Sequence, residues 1–155
     1  MASIEIAPGV ITGLMAKLAT KSQVATRQGL AVTAAAVARQ AQTNASTGRH
    51  AYGTPTPARP GTGPAIISQT LVNSIAYSTP LPHGVDWVSR VGPRMGMYPA
   101  YRGRTSTTPS SKYGRYLETG LRNGVTYPWL LPASRIAIVA GPVAFAAAFA
   151  RISIT

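Results

Sequence analysis

The chain predicts an α+β fold, and three observations carry that prediction. Helical spacing runs through an Ala-rich first third, two strand-like segments lie in the middle, and an apolar helical stretch closes the chain. At 155 residues the chain is expected to form one domain, spanning residues 1–155.

Taken in order, residues 3–6 alternate like a short strand, and Pro8-Gly9 ends it. From Val10 the spacing turns helical. Val10, Ile11, Leu14 and Leu18 share one face, Lys17 and Lys21 the other, and residues 20–22 are expected to break or cap the segment. A second helix is expected over about 23–44, loaded with Ala and softened at Gly29. Its small-residue faces suit close packing on a sheet or a neighbouring helix.

Residues 46–65 hold four prolines and four glycines, which predicts a long loop. Residues 66–71 read as a helical turn. Residues 73–78 and 85–92 read as strands joined through Thr79-Pro-Leu-Pro-His83-Gly84 as a hairpin. Residues 94–111 form a second expected long loop, carrying Arg94, Arg102 and Arg104. Pro132 suits the first turn of a helix, Gly141-Pro142 is expected to kink or split the final apolar segment, and residues 150–155 alternate like an edge strand.

Charge is sparse and one-sided. Only 12% of residues are charged, fifteen basic against three acidic, for a net +12. A soluble domain ordinarily carries about twice that share of charge, so much of this surface is expected to be hidden against other subunits. The excess of Arg suits a polyanionic partner or a charged lumen, and equally a basic surface meeting acidic protein neighbours. The apolar window 136–150 falls short of the ~20 residues that span a bilayer and is flanked by Arg135 and Arg151. It is expected to be buried or interfacial, with no membrane partner, and the first ten residues lack the pattern of a secretory signal.

Catalytic chemistry finds little to work with. The absence of cysteine excludes a disulfide framework or a thiolate metal site. His50 and His83 lack metal-ligand spacing, and a His83–Asp86 contact reads as a turn contact. Glu5, Asp86 and Glu118 are too scattered for a carboxylate pair or cage. The Gly-rich run 53–63 lacks the Lys-Ser/Thr ending of a phosphate loop. The expectation is a non-enzyme with no cofactor and no metal. Seven basic residues from Arg90 to Arg122 interleave with tyrosines, a pattern that can track a phosphate backbone. Protein interfaces favour the same residue types.

One stretch is more specific. Tyr113-Gly-Arg-Tyr116-Leu-Glu118-Thr-Gly120, followed by Tyr127-Pro-Trp129-Leu-Leu-Pro132-Ala, resembles a signature of the head–tail joining, or tail-completion, proteins of siphophages. Upstream, Asn44-Ala45-Ser46-Thr47-Gly48 and Leu71-Val-Asn-Ser74-Ile75 fall in the same order as that family's motifs. Tyr127 stands where the family usually has Arg, the 46–65 loop is longer, and the C-terminal segment is more apolar. The resemblance implies a long N-terminal helix packed on a small, mainly antiparallel sheet. It also implies a virion neck protein made in the host cytoplasm and assembling as a ring, commonly a hexamer. The ring would sit between a connector or stopper protein on the head side and a tail terminator or tube protein on the tail side, with genomic dsDNA passing non-specifically through its lumen. Tail terminator or minor capsid component is the alternative within the same virion, and a basic nucleic-acid-binding protein the alternative of another class. Under the neck reading, Glu118 is expected to pair with Arg115 or Arg122 within or across an interface. Tyr113, Tyr116 and Trp129 would anchor that interface, and Arg94, Arg102 and Arg104 would lie on a docking or DNA-facing loop.

Overall fold

A computed structural model of the chain describes residues 8–49, 58–66, 69–101 and 103–153. The expected strand at 3–6, His50, Arg102 and most of the Pro-Gly run after 50 lie outside the described residues.

The fold is α+β. Helix α1 runs unbroken over Pro8–Asn44, so the break expected at 20–22 does not occur. Hydroxyls there serve the helix itself: Thr20 Oγ1 donates to Ala16 O at 3.1 Å and Thr26 Oγ1 to Ser22 O at 2.9 Å. Pro8 begins the helix instead of only ending a strand, because the first turn needs no amide hydrogen at that position.

The main partner of α1 is α5, Ile136–Arg151. A seam of small or β-branched residues at every fourth position of α1 (Ala25, Gly29, Thr33, Val37, Ala41) is buried, the spacing of a ridge that packs between helices. At Gly29 the approach is backbone to backbone: a Cβ there would lie 2.8 Å from Phe145 N. Thr33 removes its own polarity by donating to Gly29 O at 2.8 Å. Helix α5 passes through Pro142 rather than splitting at it. The division falls at Arg135, between α5 and the short α4, Leu130–Ser134.

The strands form three separate antiparallel ribbons. β1 (Ile75–Tyr77) pairs with β4 (Val91–Pro93), β2 (Leu81–His83) with β3 (Asp86–Val88), and β5 (Ala100–Tyr101) with β6 (Arg104–Thr105). The expected single hairpin of 73–78 with 85–92 is thus a nested pair of ribbons. The connection between β1 and β4 holds a tight hairpin of its own, turning at Gly84 with φ 62° and closed by the facing pair His83 and Asp86. The first expected strand also begins later, because Thr70–Ser74 is a helical turn, α2. Within the expected 94–111 loop, Gly103 at φ 76° turns the β5–β6 hairpin, and Ser110 already opens a helix. No strand follows α5 at 152–153.

The core lies where the C-terminal half of α1 meets α2, α3 (Ser110–Thr119) and α4. Val37, Ala41, Leu71, Ile75, Leu117 and Trp129 are its main buried members. The described ends of the 46–65 loop are tied down there. Gly48 bridges Ala65 in parallel, the Gly61 amide donates to Thr126 O at 3.0 Å, and Ala58 is buried.

Candidate assembly interface

The segment 113–133 folds around one carboxylate. Glu118, near the end of α3, accepts three backbone hydrogen bonds from the start of α4. Its Oε2 takes the amides of Trp129 and Leu130, both at 2.9 Å, and its Oε1 takes that of Leu131 at 2.8 Å. The leading amides of a helix have no partner inside it. Here three of them are met by one side chain, and the next residue, Pro132, has no amide hydrogen to satisfy. The negative charge also sits at the positive end of the helix dipole.

Trp129 is the centre of the same junction. Its Nε1 donates to Gly114 O at 3.0 Å, and its carbonyl accepts from Asn44 Nδ2 at 3.0 Å. The ring lies so close to α3 that a Cβ on Gly114 would stand 3.1 Å from Trp129 Cζ2. The junction therefore ties the end of α1, all of α3 and the start of α4 into one unit.

These contacts bear on two expectations within the protomer. Glu118 does not pair with Arg115 or Arg122 within the protomer; both arginines are exposed, and the carboxylate's partners among the described residues are amides. Trp129 is a core side chain, 1% exposed, and presents no surface to a partner. The two tyrosines divide. Tyr116 is exposed beneath Lys112, whose Nζ lies 5.9 Å from the ring centre. Tyr113 is half-buried, and burial, helped by neighbouring Tyr127, pushes its phenol above the ordinary tyrosine range.

Arg94 and Arg104 of the expected docking loop line different grooves. Arg94 borders a groove with Arg39, Gln42 and Tyr77, beside β1. Arg104 lies at the rim of a separate groove of about 410 Å³. That second groove is mainly apolar, lined by Ala65, Ile66, Leu71, Val72, Pro99 and Tyr113, and sits just beyond the C-terminal end of α1, at Ala45.

The apolar faces that the sequence marks are exposed in the fold. Val10, Ile11, Leu14, Met15 and Leu18 are 41–63% exposed, although their spacing marks them as one helix face. On α5 only Ala148 is fully buried, while Ile138, Val139 and Val143 are 66–77% exposed. The segment is exposed more than buried, because one helix seam cannot cover an element that is apolar all round. The run Leu130–Arg151 has the length and composition to cross a bilayer, with mean hydropathy 1.7, though Arg135 interrupts it.

No match emerged from the comparisons. No protein-family model, curated protein or solved structure matches the chain. Among the described residues, no three of His, Cys, Asp or Glu gather as a metal site would require.

Proposed function

We propose that this protein is a non-enzymatic structural protein of a siphophage neck. Copies of it form a ring that joins the connector of the DNA-filled head to the tail tube. The observation that carries the proposal is the incomplete subunit: one side of its most apolar helix and the first turns of α1 are exposed among the described residues. A ring with two contacts of standard size would cover about 800 Å² of each subunit at each contact. The ordered motifs at 44–48, 71–75 and 113–133 supply the family likeness, and the α+β frame with a long N-terminal helix agrees with it.

In this reading the mechanism is geometric. The rigid α1–α3–α4 junction sets the shape of the protomer, and exposed apolar faces close the ring. The arginines, sparsely opposed by acids, face DNA in the lumen or acidic neighbouring rings. Negative-stain microscopy and light scattering of the purified protein test this directly, with closed rings expected. A strictly monomeric protein that binds duplex DNA tightly, with a steep salt dependence, would overturn the neck reading in favour of a nucleic-acid-binding protein.

A further inference from the structure

Three arginines gather on the outer face of the β1–β4 ribbon and along its border with α1. Backbone bonds extend the ladder at both ends: the Ser78 amide donates to Arg90 O and the Arg94 amide to Ser74 O, both at 2.8 Å. Residues 90, 92 and 94 therefore share one face of the ribbon with Ala76, by the alternation of paired strands. The opposite face is turned to the core: Ile75 is buried, and a Cβ on Gly114 of α3 would stand 3.4 Å from Pro93 Cγ. On the outer face the space over Gly92 is open, since an added Cβ there would meet no atom within 4 Å. Arg90 and Arg94 are exposed on either side of that opening, roughly 13 Å apart along the strand at ~3.3 Å per residue. Arg39 of α1 is exposed too, and it shares a groove with Arg94, Gln42 and Ala76.

Among the described residues none of these arginines has an anionic partner. Glu118 is held by the three leading amides of α4, and Asp86 borders a different groove, with Ser22 and Thr26 of α1. We propose that this face binds the phosphate backbone of duplex DNA through Arg39, Arg90 and Arg94. The inference rests on the neck reading for the source of the polyanion, and on the geometry for the surface. Arginine suits phosphate because its planar fork bonds in pairs. The floor of Gly92 and Ala76 lets a sugar–phosphate chain approach closely, yet it offers no bulky apolar anchor of the kind that centres a protein interface. It also presents no side chain that could read a base edge, so recognition is independent of sequence. Binding of that kind depends on charge and weakens steeply with salt.

Fluorescence anisotropy of two labelled duplexes of unrelated sequence, followed across a salt series, tests the surface. Both duplexes should bind alike. Arg39→Gln, Arg90→Gln and Arg94→Gln should each weaken binding to both, and each should flatten the slope of log K against log salt by about 0.9. Gly92→Glu, whose carboxylate enters open space, should abolish binding while far-UV circular dichroism stays unchanged. Arg151→Gln removes the same charge at the end of α5, beside the first half of α1 and far from Arg39, and should keep the parent's slope. An equal loss in Arg151→Gln would show that net charge, and not this face, holds DNA, and would overturn the proposal. So would a parent protein that binds neither duplex at low salt. Loss of poly-glutamate binding in Gly92→Glu, with DNA binding kept, would assign the face to an acidic protein partner and also overturn it. Light scattering of the same samples separates the face from the ring. Rings whose DNA binding survives all four changes would reject the face and spare the neck reading. A monomer that loses DNA binding in them would uphold the face and reject the ring.

Discussion

Replacing Glu118 tests the most specific feature of the junction. In Glu118→Ala three helix-leading amides lose their acceptor at once. Those of Trp129 and Leu130 are part-buried, whereas that of Leu131 is exposed and can turn to water. Two poorly solvated donors cost about 1–2 kcal/mol each, and losing the charge at the helix start costs about 0.5 kcal/mol more. The expected destabilisation is about 3 kcal/mol, or a fall in Tm of about 9 °C for a chain of this length. Glu118→Gln separates charge from geometry. Its one amide oxygen, placed where Oε2 now sits, keeps Trp129 and Leu130, so the loss should be about 1 kcal/mol. Thermal and urea unfolding of the three proteins at matched concentration, followed by far-UV circular dichroism, would measure both steps. The reasoning fails if Glu118→Ala stays within about 1 kcal/mol of the parent, or if Gln costs as much as Ala. It also fails if the alanine variant loses assembly while its protomer keeps full stability, the behaviour of an arginine-pairing interface residue.

Three further expectations concern the same frame. Gly29→Ala should destabilise by about 1–3 kcal/mol despite the better helix propensity of Ala, because the new methyl meets the backbone of Phe145; a raised Tm would refute the close crossing of α1 and α5. Trp129→Phe should cost about 2–3 kcal/mol, since it removes the indole's hydrogen bond to the Gly114 carbonyl and opens a gap in the core; a loss under 1 kcal/mol in urea unfolding would contradict the junction. Tyr113 holds its proton more tightly when folded, through burial first and Tyr127 second. Its contribution to stability is therefore complete below the unfolded tyrosine pKa near 10 and is lost as pH rises through the higher folded value. Absorbance titration at 295 nm should show one late phenol that disappears in Tyr113→Phe, and a late phenol that persists in that variant would reject the assignment.

Much of the frame was legible along the chain. Alanine density and spacing mark α1, the Gly84 and Pro-rich signals mark the central turns, and Pro132 marks the start of the last apolar segment. Local hydrogen bonds explain where the reading overcalled breaks: Thr20 and Thr26 turn their hydroxyls onto their own helix, and the leading residues of α1 tolerate Pro8. Other boundaries depended on pairing across distance. The split of residues 85–92 into β3 and β4 follows from two different partners, which no single strand pattern reveals.

The site was legible as a motif, but its partners within the chain were not. Residue order alone singled out Glu118 as a rare acid among arginines, and charge balance suggested an ion pair. Only the tertiary structure brings the start of α4 to its carboxylate, because residues 118 and 129–131 are joined by a loop whose course is set by packing on the core. A backbone amide has no residue type, so no composition or spacing can announce it as a partner. In the same way, the sequence by itself determined that residues 10–18 form an apolar helix face and that the C-terminal run is apolar throughout. What lies against those faces was decided by where α5 ends on α1, and that follows from the close crossing at Gly29 and Phe145.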